Sequence, residues 1–198
     1  QLDRYGEVNI IEKKWADALK NLKSKTTLIL NADDPQIAYL ASRLEGGNVK
    51  YFGINPKNKT ENTQHASDST YCPNCGEKLI YETIYFSHLG DWQCKKCNFK
   101  HPQTIFTLSP FYPLSGAYNQ YNTNAAVLLA QTLGFSKEKI MSPLKDFKPA
   151  FGRQEILNIR EKKVQIFLSK NPTGFNETLK TIVNLNAKNI LIALNDKI

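Results

Sequence analysis

What this chain lacks narrows its class before any motif is read. No apolar run in its 198 residues approaches the ~20 that a membrane-spanning helix needs, and the opening QLDRYGEVN has neither the basic start nor the apolar middle of a signal peptide. These absences predict a soluble, cytoplasmic protein that is not an integral membrane protein. There is no block of like charge: the net charge is +8, but the lysines are scattered through helices and turns, which favours a solvated basic surface over a polyanion-binding one. There is no internal repeat and no initiating methionine. The last residues, NILIALNDKI, stop just after an expected buried strand, so the sequence reads as part of something longer.

What is present suits a packed core. Hydrophobic residues make up 41% and charged residues 22%, enough for one large or two small domains. VNIIEKKWADALKNL places Val8, Ile11, Trp15, Ala18, Leu19 and Leu22 on one helical face. TTLIL suits a buried strand. NADDP opens the next helix with Asp34 as N-cap and Pro35 in the first turn; Ile37, Leu40, Ala41 and Leu44 form its inner face, and the strand VKYFGI follows. Helix, strand, helix, strand implies parallel pairing through a crossover helix. After the polar linker NPKNKTENTQHASDST and the cysteine segment, TIFTL resumes a strand and GAYNQYNTNAAVLLAQTLG a helix. SPLKDFKPAFGRQE reads as a hinge loop. Strand EILNI, turn REKK, strand VQIFLS, a helix from about Thr173 to Leu185 and strand NILIAL then make a second, incomplete α/β unit.

All four cysteines fall between residues 72 and 97, as two CxxC pairs. Each pair places two sulfurs on a tight knuckle, and two facing knuckles complete a tetrahedral thiolate site, so Cys72, Cys75, Cys94 and Cys97 are the expected zinc ligands. Gly76 and Asn98 follow the second cysteine of each pair and tolerate the left-handed backbone of such knuckles. KLIYETIYF supplies strand and HLGDW a turn, as in a zinc ribbon. Two disulfides fit a cytoplasmic setting poorly, and a redox CxxC wants a strand-then-helix context that neither pair has. Four cysteines leave no position for water, so the zinc is structural, and His65, His88 and His101 are surplus to it. From Ser67 to His101, Lys78, Lys95, Lys96 and Lys100 cancel Asp68, Glu77, Glu82 and Asp91, and a tetrathiolate zinc adds about −2. The ribbon therefore has no footprint for nucleic acid. It reads as an outlying insertion, a brace or a docking surface.

GAYNQYNTNAA resembles the helix-opening NxxN of the central ATPase domain of the Mur ligases, the ATP-dependent enzymes of cell-wall peptide assembly. With FGRQE, KNPTGFNE and the upstream four-cysteine ribbon, the likeness narrows to the MurT family, synthetase subunits of lipid II isoglutaminyl synthase that work with the glutaminase GatD. The resemblance runs from LDRYGE to the second α/β unit. It implies a Mur ligase-type central domain over 1–66 and 102–148, a zinc ribbon inserted at 67–101, and the start of a Rossmann-like α/β domain over 152–198. It further implies an enzyme, a carbon–nitrogen ligase that uses ATP and magnesium to activate the α-carboxylate of D-glutamate in the lipid II stem peptide. Ammonia from glutamine then attacks, at the inner face of the cell membrane. Phosphorylation gives a poor electrophile a leaving group, a transfer that needs charge stabilisation on the moving phosphoryl.

By that likeness Asn119 and Asn122 contact the adenine region and Arg153 holds the nucleotide from the hinge. Amides donate and accept at a purine edge, and a guanidinium grips phosphate through two parallel bonds. Ordinary readings exist for each: an Asn near a helix start is often a cap, and a hinge Arg a surface ion pair. The chain departs from the Mur pattern in several places. The phosphate-binding GKT loop would precede Gln1, and Gln1 falls where a magnesium-associated histidine is usual. FLSKNP replaces DYAHNP, with Phe167 at the aspartate position. In the MurT family the second domain docks the glutaminase and lends it an acid that would lie beyond Ile198, so no catalytic residue is expected here and the chain alone should be inactive. Two other readings are an amino-acid-adding ligase of the Mur or folylpolyglutamate type, and a zinc-ribbon nucleic-acid-binding module.

Overall fold

Residues 8–23, 25–44, 47–54, 69–105, 111–150 and 152–194 are described by a computed structural model of the chain. Helix α1 (Val8–Lys20) leads into strand β1 (Thr27–Asn31), helix α2 (Pro35–Ser42) and strand β2 (Asn48–Phe52). β1 and β2 pair in parallel, from Thr27 opposite Asn48 to Asn31 opposite Phe52, as a crossover helix requires. The Asp34 side chain accepts from the Gln36 and Ile37 amides, and Pro35 occupies the first turn, where its missing N–H costs nothing. Ala38, Leu40 and Ala41 are the buried face of α2. The apolar face read on α1 is covered less than expected: Trp15 is 51% and Leu22 41% exposed, and Ala18 is exposed too. Periodicity shows which side of a helix is apolar, not what lies over it.

The cysteine segment folds as expected in its knuckles and differently in its turn. Strands β3 (Ile80–Phe86) and β4 (Leu89–Gln93) are antiparallel, and Gly76 (φ 74°) and Asn98 (φ 58°) take the left-handed backbone. The reversal is at Ser87 and His88, with Ser87 at φ 56°, so most of HLGDW is strand. Gly90 punctuates nothing: it pairs with Ile84, and a Cβ there would lie 2.2 Å from the Thr83 carbonyl oxygen. It is a close-approach residue inside a strand.

Nor is the ribbon an outlying flap. Trp92 is 1% exposed and packs with Cys72, Leu79, Cys94 and Ala38 of α2 in one cluster. Its indole donates to the Ala32 carbonyl at 3.2 Å, and the Gly90 amide to the Asp33 carbonyl at 3.0 Å. The ribbon thus closes over the C-terminal end of β1.

Helix α3 (Ala117–Thr132) follows Gly116, packs on β1 and β2, and buries Tyr121, Thr123, Asn124, Val127 and Leu128. The segment read as a loop from Ser142 starts as helix, because α4 (Lys137–Lys145) runs through Pro143. Ser136 caps α4 and Ile140 anchors it, which together outweigh the one bond a proline removes. Strands β5 (Arg153–Ile159) and β6 (Lys162–Phe167) form an antiparallel hairpin whose turn residues Arg160 and Glu161 both have positive φ, the twist-matched hairpin geometry. Helix α5 (Pro172–Asn184) is capped by Asn171, which accepts from the Gly174 amide at 2.7 Å.

One expected strand, NILIAL, is not formed. Residues 189–194 have no strand structure, and Leu191 is 95% exposed. An apolar run is a strand only when a neighbour supplies its ladder. Of TIFTL, residues 104 and 105 are not strand, although the Ile105 amide donates to the Tyr51 carbonyl at 2.8 Å; residues 106–108, like LDRYGE, Gln1 and His65, lie outside the described residues. No described helix is long and apolar enough to cross a membrane.

Candidate functional site

The knuckles bring Cys72, Cys75, Cys94 and Cys97 into one cluster, with their sulfurs within 4.8 Å of one another. Cys72 and Cys97 Sγ are 3.6 Å apart, and Cys75 and Cys94 Sγ 3.5 Å. A tetrahedral ion with ligand bonds of about 2.3 Å sets its sulfurs roughly 3.8 Å apart, so this donor set fits zinc. Burial pushes the Cys72 thiol up to about 12, while the Asn74 side chain and then the Phe99 amide draw Cys97 down to about 6. A buried thiol gives up its proton when a cation replaces it. Neither His88 nor His101 joins the cluster.

Both histidines serve the join between ribbon and core. Asp33, 1% exposed at the end of β1, accepts from His101 Nε2 at 2.7 Å, from the Tyr121 hydroxyl at 2.8 Å and from the Ile54 amide at 2.9 Å. Such a buried carboxylate is tolerable because its oxygens are fully engaged. Gly53 makes the room: a Cβ there would sit 2.5 Å from Asp33 Oδ1. Burial, then the Asp33 charge, pushes the Tyr121 hydroxyl far above the ordinary tyrosine range. His88 Nε2 lies 3.5 Å from Asp34 Oδ2. The chain leaving the ribbon, both parallel strands and α3 therefore meet at one side chain.

Beside this junction lies a cavity of about 680 Å³. Asn119 and Asn122 of α3 and Arg153 at the start of β5 all line it, so the three residues read as nucleotide contacts share one space. Asn119 is 8% exposed and its amide nitrogen donates to the Ser115 carbonyl at 2.7 Å, which holds the side chain at the start of α3. Asn122 and Arg153 are exposed. Phe167, at the position where the resemblance would place an acid, also lines the cavity. The one carboxylate among the described lining residues is Glu177, which Lys180 engages at 2.6 Å. These residues do not make a magnesium site.

Three lining groups escaped the sequence reading. Gln154 is buried at φ 61°, and its carboxamide accepts from the Ser115 amide at 2.9 Å while donating to the Ser115 carbonyl at 2.7 Å. That two-point clamp ties the hinge to the start of α3. The second group, Ser169 and Thr178, joins the end of β6 to α5 through hydroxyls 2.9 Å apart. The third is Phe86, from the ribbon itself. Adjacency to Arg153 was the one available signal for Gln154; for Phe86 there was none.

The parallel β–α–β frame, with a helix and a C-terminal hairpin around a cavity, is similar to that of a Mur ligase-like peptide ligase. The structure of a pseudomurein peptide ligase type C from Methanothermus fervidus superposes with a TM-score of 0.69 and 28% identity, covering 89% of this chain and 38% of that one. More particularly, the chain is related to MurT subunits of lipid II isoglutaminyl synthase. It is 29% identical over 213 residues to the one from Staphylococcus aureus (strain COL), covering 99% of this chain and 48% of the relative. To that from Streptococcus pneumoniae (strain ATCC BAA-255 / R6) it is 28% identical over 201 residues, covering 92% and 44%. The chain spans about half the length of the curated relatives it matches. No protein-family model matches it.

Proposed function

We propose that this chain forms part of the ATP-using synthetase subunit of a glutamine-dependent amidotransferase that converts the D-glutamate α-carboxylate of the lipid II stem peptide to a carboxamide. The observation that carries the reading is the meeting of Asn119, Asn122 and Arg153 in one cavity of a chain whose relatives are MurT subunits. In this reading Asn119 and Asn122 meet the adenine and Arg153 the phosphates. The base sits against α3, and the hinge carries the guanidinium that senses the nucleotide's charge. The carboxylate attacks the terminal phosphorus of ATP and releases ADP; ammonia then displaces phosphate from the acyl carbon. Phosphate-loop, magnesium and ammonia chemistry are assigned to other segments of the protein and to a glutaminase partner of the GatD kind.

The same reading makes the cysteine cluster a structural zinc site. It divides the chain into a central domain (1–66 and 102–148), the ribbon (67–101) and a Rossmann-like unit (152–198), and places the protein in the cytoplasm at the inner membrane face. The test uses the full-length protein with its glutaminase, ATP, magnesium, glutamine and lipid II. Product gaining one ammonia equivalent supports the proposal. Product gaining a whole amino acid would replace it with an amino-acid-adding ligase, and unaltered lipid II would refute it.

A further inference from the structure

We propose that the cysteine ribbon is part of the nucleotide site, and that Phe86 supplies an aromatic face for the purine base. The inference rests on the nucleotide reading above and goes beyond it by assigning a ligand contact to the inserted segment. Phe86 is the last residue of β3, and it lines the same cavity as Asn119 and Asn122. Its ring is 6.4 Å from Tyr118 and 6.5 Å from Tyr121, tilted at 49° and 50°. Those separations put Phe86 in contact range of both tyrosine rings without stacking it on either. The position is not left to chance. Tyr121 is pinned by Asp33, which also takes His101, and Gly90 and Trp92 of the facing strand bond to the Asp33 and Ala32 carbonyls. A ring held this way gives a preorganised apolar surface to the cavity that the two side-chain amides also line. Aromatic face plus amide edge is the chemistry that recognises a nucleobase: the face takes any π system, and the amides read the edge. The ribbon's metal then serves the ligand indirectly, by fixing the hairpin that carries Phe86.

The experiment compares ATP with inorganic tripolyphosphate, which keeps the phosphates and lacks the base, in the full-length, zinc-loaded protein with its partner. Phe86→Leu keeps apolar bulk and removes the π face; Phe86→Trp keeps a π face. Phe86→Leu is expected to weaken ATP binding about tenfold, leave tripolyphosphate binding as in the wild type, and leave zinc content unchanged. Phe86→Trp is expected to retain ATP affinity and to gain an emission change that saturates with ATP. Equal ATP affinity in wild type and Phe86→Leu overturns the inference while leaving the nucleotide site standing. So does equal weakening of ATP and tripolyphosphate. If the wild type binds no ATP, the parent reading fails and this inference falls with it.

Discussion

The chain carries two antiparallel hairpins of similar size, and they are held in place by different means. β3–β4 is covered: its Trp92 is 1% exposed, cysteine knuckles close its open end, and its backbone bonds to the end of β1. β5–β6 has Ile156 at 49%, Ile159 at 50% and Val164 at 37% exposure, and the side chain of Gln154 ties it to Ser115 and Tyr118 at the start of α3. A two-stranded hairpin is marginal by itself, so each needs an outside anchor. One anchor is a cluster of four cysteines and a buried indole, built from strong residue types. The other is a carboxamide clamp in a strained backbone. The first suits a fixed wall of the cavity, and the second leaves its wall held by side-chain bonds at the start of α3.

Removing the metal should break the contrast most severely. Structural zinc contributes about 10–16 kcal/mol in small zinc modules, and a zinc held by the four cysteines would supply part of that as folding energy. Chelation, or Cys94→Ser, should unfold β3–β4, red-shift the emission of Trp92 and weaken ATP binding, while the amides of β5–β6 keep their exchange protection. Simultaneous loss of protection in both hairpins would show that they are one cooperative unit.

Truncation tests the same difference without touching the metal. Trp92→Ala should cost about 3–5 kcal/mol by denaturant midpoint, the range for a fully buried aromatic. Ile156→Ala, at a half-exposed position, should stay within about 0.5 kcal/mol. Comparable losses would mean that Ile156 is covered in the working protein.

Gln154→Ala should cost about 1–3 kcal/mol, since it takes the partner from the Ser115 amide, leaves the Ser115 carbonyl with the Asn119 bond alone and keeps a left-handed residue. Gln154→Gly loses the same bonds but relieves the backbone, so it should be the milder change by about 1 kcal/mol. If the two are equal, the positive φ contributes nothing. Either variant should raise the Kd for ATP more than it lowers Tm would suggest, because the clamp positions Arg153.

The ease of reading the two regions follows the same divide. Cysteine spacing is rigid chemistry, so the cluster, its left-handed Gly76 and Asn98, and the absence of both described histidines from it were all legible. So were the Asp34 cap and the parallel β1–β2 pair, where cap, proline and apolar runs agree. What escaped depends on tertiary partners. Gly90 looks like turn punctuation until Thr83 is placed against it; Pro143 looks like a helix breaker until Ser136 and Ile140 are seen to hold α4; NILIAL looks like a strand, yet residues 189–194 have none to pair with. The junction at Asp33 was invisible for the same reason. Its four contributors come from residues 33, 54, 101 and 121, a set that no local pattern links.

Alkali gives the smallest and most discriminating test. Burial raises Tyr81, Tyr85 and Tyr121, with Tyr85 pushed up to about 12, and all three lie in or against the ribbon; residues 152–194 contain no tyrosine. In the unfolded chain these hydroxyls titrate near pH 10. Below that pH both states hold the proton and the stabilisation is complete. Above it the unfolded chain releases protons that the folded state retains, so stability falls as pH rises, by up to about 1.4 kcal/mol per pH unit for each such tyrosine. Tyr85 stops adding to the slope once it titrates in the folded state too. Denaturant midpoints between pH 9 and 11 should therefore drop when followed by Trp92 emission, and less when followed by amide exchange in β5–β6. Tyr121→Phe should start lower, having lost its bond to Asp33, and show a shallower slope. An unchanged slope in that variant would mean that Tyr121 is not the protonated donor that closes the ribbon onto α3.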